Sequence, residues 1–442
     1  MDSERNDIVI DIWDVNNDRL ASMRQKISED PKLLSKFAGR RSCCIFRVPQ
    51  SLIDVNGRAY QPRIVSIGPY HHGQSRLAMI EEHKWRYLGS LLSRTKTKGL
   101  ELEDYLKAIA PLESEARECY SESIRLSSDE FIEILVVDGC FMIELFRRVG
   151  KLVPVERDDP IFTMAWILPY FYRDFLKLEN QIPFFILERL FELSKLPEEN
   201  STATLSGLAL EFINSSMQKP DEVIARQSNL QGKHLLDLIR SSYIISDLKT
   251  FEGTDQKTPT HVIHCVSKLR RAGISICACE AESFLYVTYR QGVIRMPTIT
   301  IDDFMSSFLL NCVAFELCFN DYSKHFTTYV TLMDCLINTY KDVEYLLDRN
   351  IIENHFGTDG EVANFFNNVG KEVVFDMDMC YLSPLFNDVH HYYKNSWNVQ
   401  WASFKHTYFE TPWSFISALA AFVLLILTLG QTYFAGHDYF AS

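Results

Sequence analysis

The run WSFISALAAFVLLILTLGQTYF, Trp413 to Phe434, limits most what this chain can fold into. No residue between Glu410 and Asp438 carries a formal charge when His437 is neutral. As a helix with a rise of ~1.5 Å per residue, the run spans about 33 Å, close to the ~30 Å of a bilayer's hydrocarbon core. Trp413 and Tyr433 stand near its ends, where amphipathic rings favour the membrane interface. A core helix of a soluble protein is the blander reading, but an apolar run of this length is rare there. The expectation is a single membrane-spanning helix.

Its orientation follows from flanking charge. Lys394 and Lys405 precede the run, while the last six residues hold no Lys or Arg, so the basic side places the body in the cytosol. Met1 to Asn17 carries Asp2, Glu4, Asp7, Asp11 and Asp14, which is unlike the basic, then apolar, pattern of a secretory signal. The expected protein is therefore tail-anchored in the plasma membrane or an endomembrane. A body facing outward would give meaning to the sequons at Asn200 and Asn214. Eleven cysteines, with no CxxC among them, fit buried reduced thiols better than a zinc site or a disulfide framework.

Charge excludes one large class of partner. The chain has 442 residues, and its 45 basic against 58 acidic side chains leave −13, whereas nucleic acid requires a basic face. From Ile301 to Glu410 there are 16 acids and 6 bases, so −10 of the total lies in that segment. An anionic leaflet would repel it. Anchoring is then left to the apolar helix.

Periodicity predicts a mainly α fold: a multi-helix globular body, a small antiparallel β element and the C-terminal transmembrane helix. The expected division is a variable lead over 1–40, a helical body over 41–410, a membrane helix over 411–436 and a short tail over 437–442. Apolar spacing of three and four predicts helices from Leu77 to Val149 and over about 160–194, 203–217, 303–319, 327–347 and 359–371. Asp129 to Phe146 is nearly all apolar, the mark of a helix buried on every side. Cys43 to Val48 and Arg63 to Ile67 read as extended chain between turn signals. Alternation at Ile274/Ile276, Phe284/Tyr286 and Ile299/Ile301 predicts a small antiparallel hairpin sheet.

No phosphate loop, dinucleotide fingerprint, HExxH, GxSxG elbow or EF-hand loop occurs. No cofactor is expected. His261, His264 and Cys265 would share a helical face, but a third metal ligand is not located. Two polar clusters interrupt apolar surroundings. Asp138-Gly139 breaks FIEILVVDGCFMIELF, with Glu144 following, and Leu178-Glu179-Asn180-Gln181 runs into Ile182-Pro183-Phe184. A buried carboxylate needs a partner, and for Asp138 the candidates are His83, Lys84, Arg86 and Asn180. One reading is an acid/base or metal pocket of His83, Asp138, Glu144 and Glu179. The favoured reading is a structural network of Asp138, Asn180 and Gln181, because perturbed buried carboxylates are structural more often than catalytic.

At these residues the chain resembles a plant family, domain of unknown function 247, over about Cys43 to Tyr433. Its pieces are Val65-Ser-Ile-Gly-Pro-Tyr-His-His-Gly73, Glu81-Glu-His-Lys-Trp-Arg-Tyr-Leu88, Asp138-Gly-Cys-Phe141, Leu178-Glu-Asn-Gln-Ile-Pro-Phe184 and Pro412-Trp413, then Gln431-Thr432. Ile80 departs from the usual Met, apolar for apolar. The resemblance implies a plant origin, a helical body and one C-terminal span, and it carries over no catalytic residue. Some grass relatives are implicated in pollen–pistil self-recognition, so it implies a recognition or signalling role. The reading is a membrane-anchored plant protein whose body recognises a protein partner, as a possible homo- or hetero-oligomer, and which binds the lipid bilayer through its helix. The rival is a membrane-bound enzyme, a metal-assisted hydrolase using the His/Asp/Glu set. Within the span, Ser414, Ser417, Ala418 and Ala421 fall on one side and would let a second helix approach, with Thr428 adding a polar contact.

Overall fold

The computed structural model describes residues 16–29, 33–196, 203–245, 248, 262–318, 322–372, 379–394 and 412–441. Helices dominate it, as the periodicity predicts. The first are α1 (Asn17–Ser28), α2 (Gln50–Asn56), α3 (Ala78–Thr95), α4 (Leu102–Ile109), α5 (Glu113–Glu118) and α6 (Ser128–Val149). There follow α7 (Pro160–Thr163), α8 (Ile167–Asp174), α9 (Phe184–Ser194), α10 (Leu205–Met217), α11 (Asp221–Arg226), α12 (Leu235–Ser241) and α13 (Val266–Arg271). The last are α14 (Asp303–Cys318), α15 (His325–Leu336), α16 (Tyr340–Asp348), α17 (Asp359–Glu372), α18 (Ser383–Lys394) and α19 (Pro412–Ala441).

Helix α6 is the axis of the N-terminal half. Ser127 and Glu130 close a reciprocal capping box at its start, and Arg147 and Arg148 occupy its last turn, where they complement the helix dipole. All its side chains from Ile134 to Arg148 are buried. Helices α3, α4, α9 and α10 pack around it. Gly139 lets α9 come close, since a Cβ there would lie 2.4 Å from Leu190 Cδ1. The buried apolar side chains form a continuous core running from Cys43 to Val389.

The β element differs in detail from the predicted hairpin sheet. Strand β2 (Thr288–Arg290) does pair antiparallel with β3 (Val293–Pro297). Gln291 and Gly292, both at positive φ, make the two-residue turn that suits such a hairpin. However, β1 (Ser275–Cys279) joins β3 in parallel, so the three-stranded sheet is mixed. Phe284 and Tyr286 lie outside the strands. β4 (Ile299–Ile301) pairs in parallel with β5 (Ile352–Asn354) in a second, two-stranded sheet. Alternation marks burial on one face but says nothing of which strand becomes the neighbour.

The two segments read as extended chain do not become strands. Ile45 makes only an isolated parallel bridge with Tyr120, and residues 63–68 run through the interior without a ladder. Side chains accept from the N–H groups of Arg47, Val48, Arg63, Ile64, Val65 and Ile67, while those of Cys44 and Ile45 donate to Cys119 O. His264 and Cys265 likewise precede α13 rather than sharing a helix, and His261 lies outside the described residues, as does Asn200.

Helix α19 holds the segment Ile416–Tyr433, with a mean hydropathy of 1.8 and none of it buried. Thr428 Oγ1 donates to Leu424 O, and Thr432 Oγ1 to Thr428 O. Both hydroxyls are thus satisfied inside the helix, as a spanning segment requires. Ser417 and Ala421 are exposed and Ala418 is half-buried, while the side chain of Ser414 lies outside the described residues.

Candidate functional site: a buried polar clamp

Residues 63–68 and 178–183 are irregular chain, and apart from Arg63 and Ile64 they are buried throughout. Backbone N–H and C=O groups in such a place must find partners. Each partner here is a named side chain or a carbonyl.

Asp174, at the end of α8, accepts with one carboxylate oxygen from the N–H groups of Arg63, Ile64 and Val65. Asn180 Oδ1 accepts from Ile67 N at 2.7 Å, and its Nδ2 donates to Val65 O and Asp174 O. Asp138 Oδ2 accepts from Gly68 N at 2.8 Å. Lys84 donates to Ser66 O and, at 2.6 Å, to Asp138 Oδ1. Gly68 sits at φ +73°, and a Cβ there would lie 2.4 Å from Gln181 O. Only glycine fits both constraints. Gln181 then fixes the second segment. Its Nε2 donates to Phe175 O and Lys177 O, its Oε1 accepts from Leu236 N, and its own carbonyl accepts from Tyr120 OH. The two irregular segments are locked to each other and to α3, α6, α8 and α12.

Electrostatics follows from burial. Burial pushes the pKa of Asp138 up, and Lys84 opposes that only in part. Asp174 is also raised by burial, against the three backbone donors. Lys177 is brought down by burial to about 7, with its amine donating to Ala59 O and Ser307 Oγ.

The structure does not gather the candidate catalytic set into one pocket. Asp138 pairs with Lys84, one of the four partners that the sequence offers. Glu144 lies six residues further along α6, so its side chain points about 120° away and roughly 9 Å along the axis. There it receives both Nη atoms of Arg94 and lies 3.5 Å from Arg147. Glu179 is elsewhere again, accepting from Arg47 Nη1 and Val48 N at 2.8 Å each and lying 3.3 Å from His71 Nε2. Burial would raise Glu179, but the hydrogen bonds from His71, Val48 and Arg47 hold it below the ordinary carboxylate value. His83 is half-buried on α3 and takes no part in these bonds. Among the described residues, no three His, Cys, Asp or Glu side chains converge to hold a metal.

Sequence reasoning missed Asp159. It is fully buried and bonds Arg86, Arg148, Tyr87 OH and Ile161 N. Burial would raise its pKa, and the bonds from Tyr87, Arg86 and Ile161 bring it below the ordinary value. The signal was available, since Asp159-Pro160 is a helix-start pattern. Glu316 was missed as well, where Arg240, Thr327 and Phe326 N converge on one carboxylate.

A family model described as a plant protein of unknown function, DUF247, matches residues 45–427. The UPF0481 protein At3g47200 of Arabidopsis thaliana is 38% identical over 426 residues, covering 92% of this chain and 88% of that protein. The putative UPF0481 protein At3g02645, also of Arabidopsis thaliana, is 23% identical over 485 residues, with 88% and 89% covered. No solved structure matches. Four of the motifs that carry the resemblance contribute to the clamp, through Ser66 to Gly68, Lys84, Asp138, and Asn180 with Gln181.

Proposed function

We infer the function of this chain from the premise that it belongs to DUF247, a family of plant proteins of unknown function. We propose that it is a membrane-anchored recognition or signalling component with a cytosolic body. Self-recognition between pollen and pistil is one form that such a role takes in the reading drawn from grass relatives. The observation that carries the proposal is the exposed apolar segment Ile416–Tyr433, long enough to cross a bilayer and buried nowhere. A second observation supports recognition over catalysis: the carboxylates best placed for chemistry are each paired with a different cation, and Asp138 and Glu179 also accept from buried backbone N–H groups.

The body's contribution can be isolated. The full-length chain, fused to a proximity-labelling enzyme, is compared in plant cells with the same C-terminal helix carrying an unrelated soluble domain. Recognition by the body predicts a set of labelled proteins that the helix alone does not give. Identical sets from the two fusions would refute it. Protease added outside sealed microsomes should digest the body, and a glycan on Asn200 or Asn214 would reverse the orientation.

A further inference from the structure

Away from the clamp, two thiols meet at an open pocket of about 230 Å³ whose lining includes Arg41, Cys44, Glu115, Cys119 and Lys233. The backbone sets them side by side. Ile45 and Tyr120 form a parallel bridge, and Cys119 O accepts from both Cys44 N at 2.9 Å and Ile45 N at 2.8 Å. Neighbouring extended segments lie ~4.8 Å apart, inside the roughly 4.4–6.8 Å between Cα atoms that a disulfide needs. Both side chains line the pocket, where Cys119 Sγ donates to Glu115 O at 3.4 Å. Cys43, next in the chain, does not line the pocket, as expected where neighbouring side chains alternate.

We propose that Cys44 and Cys119 form a reversible dithiol–disulfide site, oxidised by exchange with a small disulfide of the glutathione class. The thiolate of Cys119 attacks one sulfur of the incoming disulfide, releasing one glutathione thiolate and leaving a mixed disulfide on Cys119. Cys44 then gives up its proton and attacks Cys119 Sγ, expelling the second glutathione. The two released thiolates take up the two protons given by the cysteines. One disulfide is reduced and one formed, so atoms and electrons balance. Cys44 is placed for the second step by the backbone, which sets it beside Cys119 at the same pocket. The product links the segment before α2 to the end of α5, closing a long loop across the N-terminal half.

Full-length protein in detergent micelles is equilibrated across ratios of reduced to oxidised glutathione, denatured in acid and alkylated. Mass mapping should then find a Cys44–Cys119 linked peptide that grows with the oxidised fraction and disappears under dithiothreitol. In Cys44→Ser the product should instead be a glutathione adduct on Cys119. Full alkylation of both cysteines at the most oxidising ratio would overturn the proposal. So would linkage through Cys43, or a lasting glutathione adduct on Cys119 in the unaltered protein. The unaltered chain decides the question by itself, so a poorly folded variant would not obscure it.

Discussion

Lys84 and Asp138 show what the clamp demands of single residues. Both are buried, and Lys84 also pairs with Glu81 Oε1 at 2.7 Å. Asp138→Ala takes away one of the two carboxylates at the Lys84 ammonium and leaves Gly68 N without its acceptor, and a loss of about 1–3 kcal/mol is expected. Asp138→Asn keeps an acceptor for Gly68 N and should be milder. Chemical denaturation of the full-length protein in micelles measures both, beside elemental analysis of the unaltered chain. A catalytic metal site predicts the reverse: unchanged stability and a stoichiometric metal lost in each variant. Gly68→Ala should destabilise by at least ~1 kcal/mol, since the residue would be left-handed and its Cβ would overlap Gln181 O. Sequence was a fair guide here, because a carboxylate in an apolar run announces that it has a partner. It could not choose among His83, Lys84, Arg86 and Asn180, nor find Arg94 for Glu144 or Arg47 for Glu179. Those pairings join residues 50 and 132 positions apart.

Elements were legible in proportion to their length and periodicity. Helix α6 and helix α19 follow directly from their apolar content, and α10, α14 and α17 from their spacing. The short helices α11, α12 and α13 were not foreseen, because one or two turns give too little pattern, and α18, twelve residues long, was not foreseen either. Segments 63–67 and 43–48 failed for another reason. Their composition suits strands, but 63–67 bonds mainly to side chains distant in sequence, and 43–48 divides its bonds between such side chains and the backbone of Cys119 and Ser121, giving a single bridge and no ladder. Within α19, replacing Ala418 and Ala421 with Leu should weaken any self- or partner association in a membrane two-hybrid assay. An unchanged signal would assign those positions to lipid contact alone.

Protonation acts on the molecule as a whole. His234 is fully buried at the start of α12, where Nδ1 accepts from Asp237 N and Nε2 meets Cys44 O at 3.0 Å. That arrangement requires a neutral ring, and burial lowers its pKa to about 4. As pH falls below about 6.5 the unfolded chain binds this proton first, so stability declines down to about pH 4, by at most ~3 kcal/mol. Asp159 and Glu179, held low, extend the decline at lower pH, while Asp138 and Asp174, held high, work against it. In His234→Asn the amide can still cap Asp237 N. The variant should be less stable overall, yet its melting temperature should fall less steeply between pH 6.5 and 4.

The membrane anchor is the claim on which the functional reading rests. It is tested most directly by carbonate extraction of plant-cell membranes holding either the full chain or one lacking residues 413–442. The full chain should stay in the pellet. The shortened chain should appear in the soluble fraction and still melt cooperatively, because among the described residues no buried core side chain lies beyond Val389. A shortened chain that remains in the carbonate-resistant pellet would contradict the account.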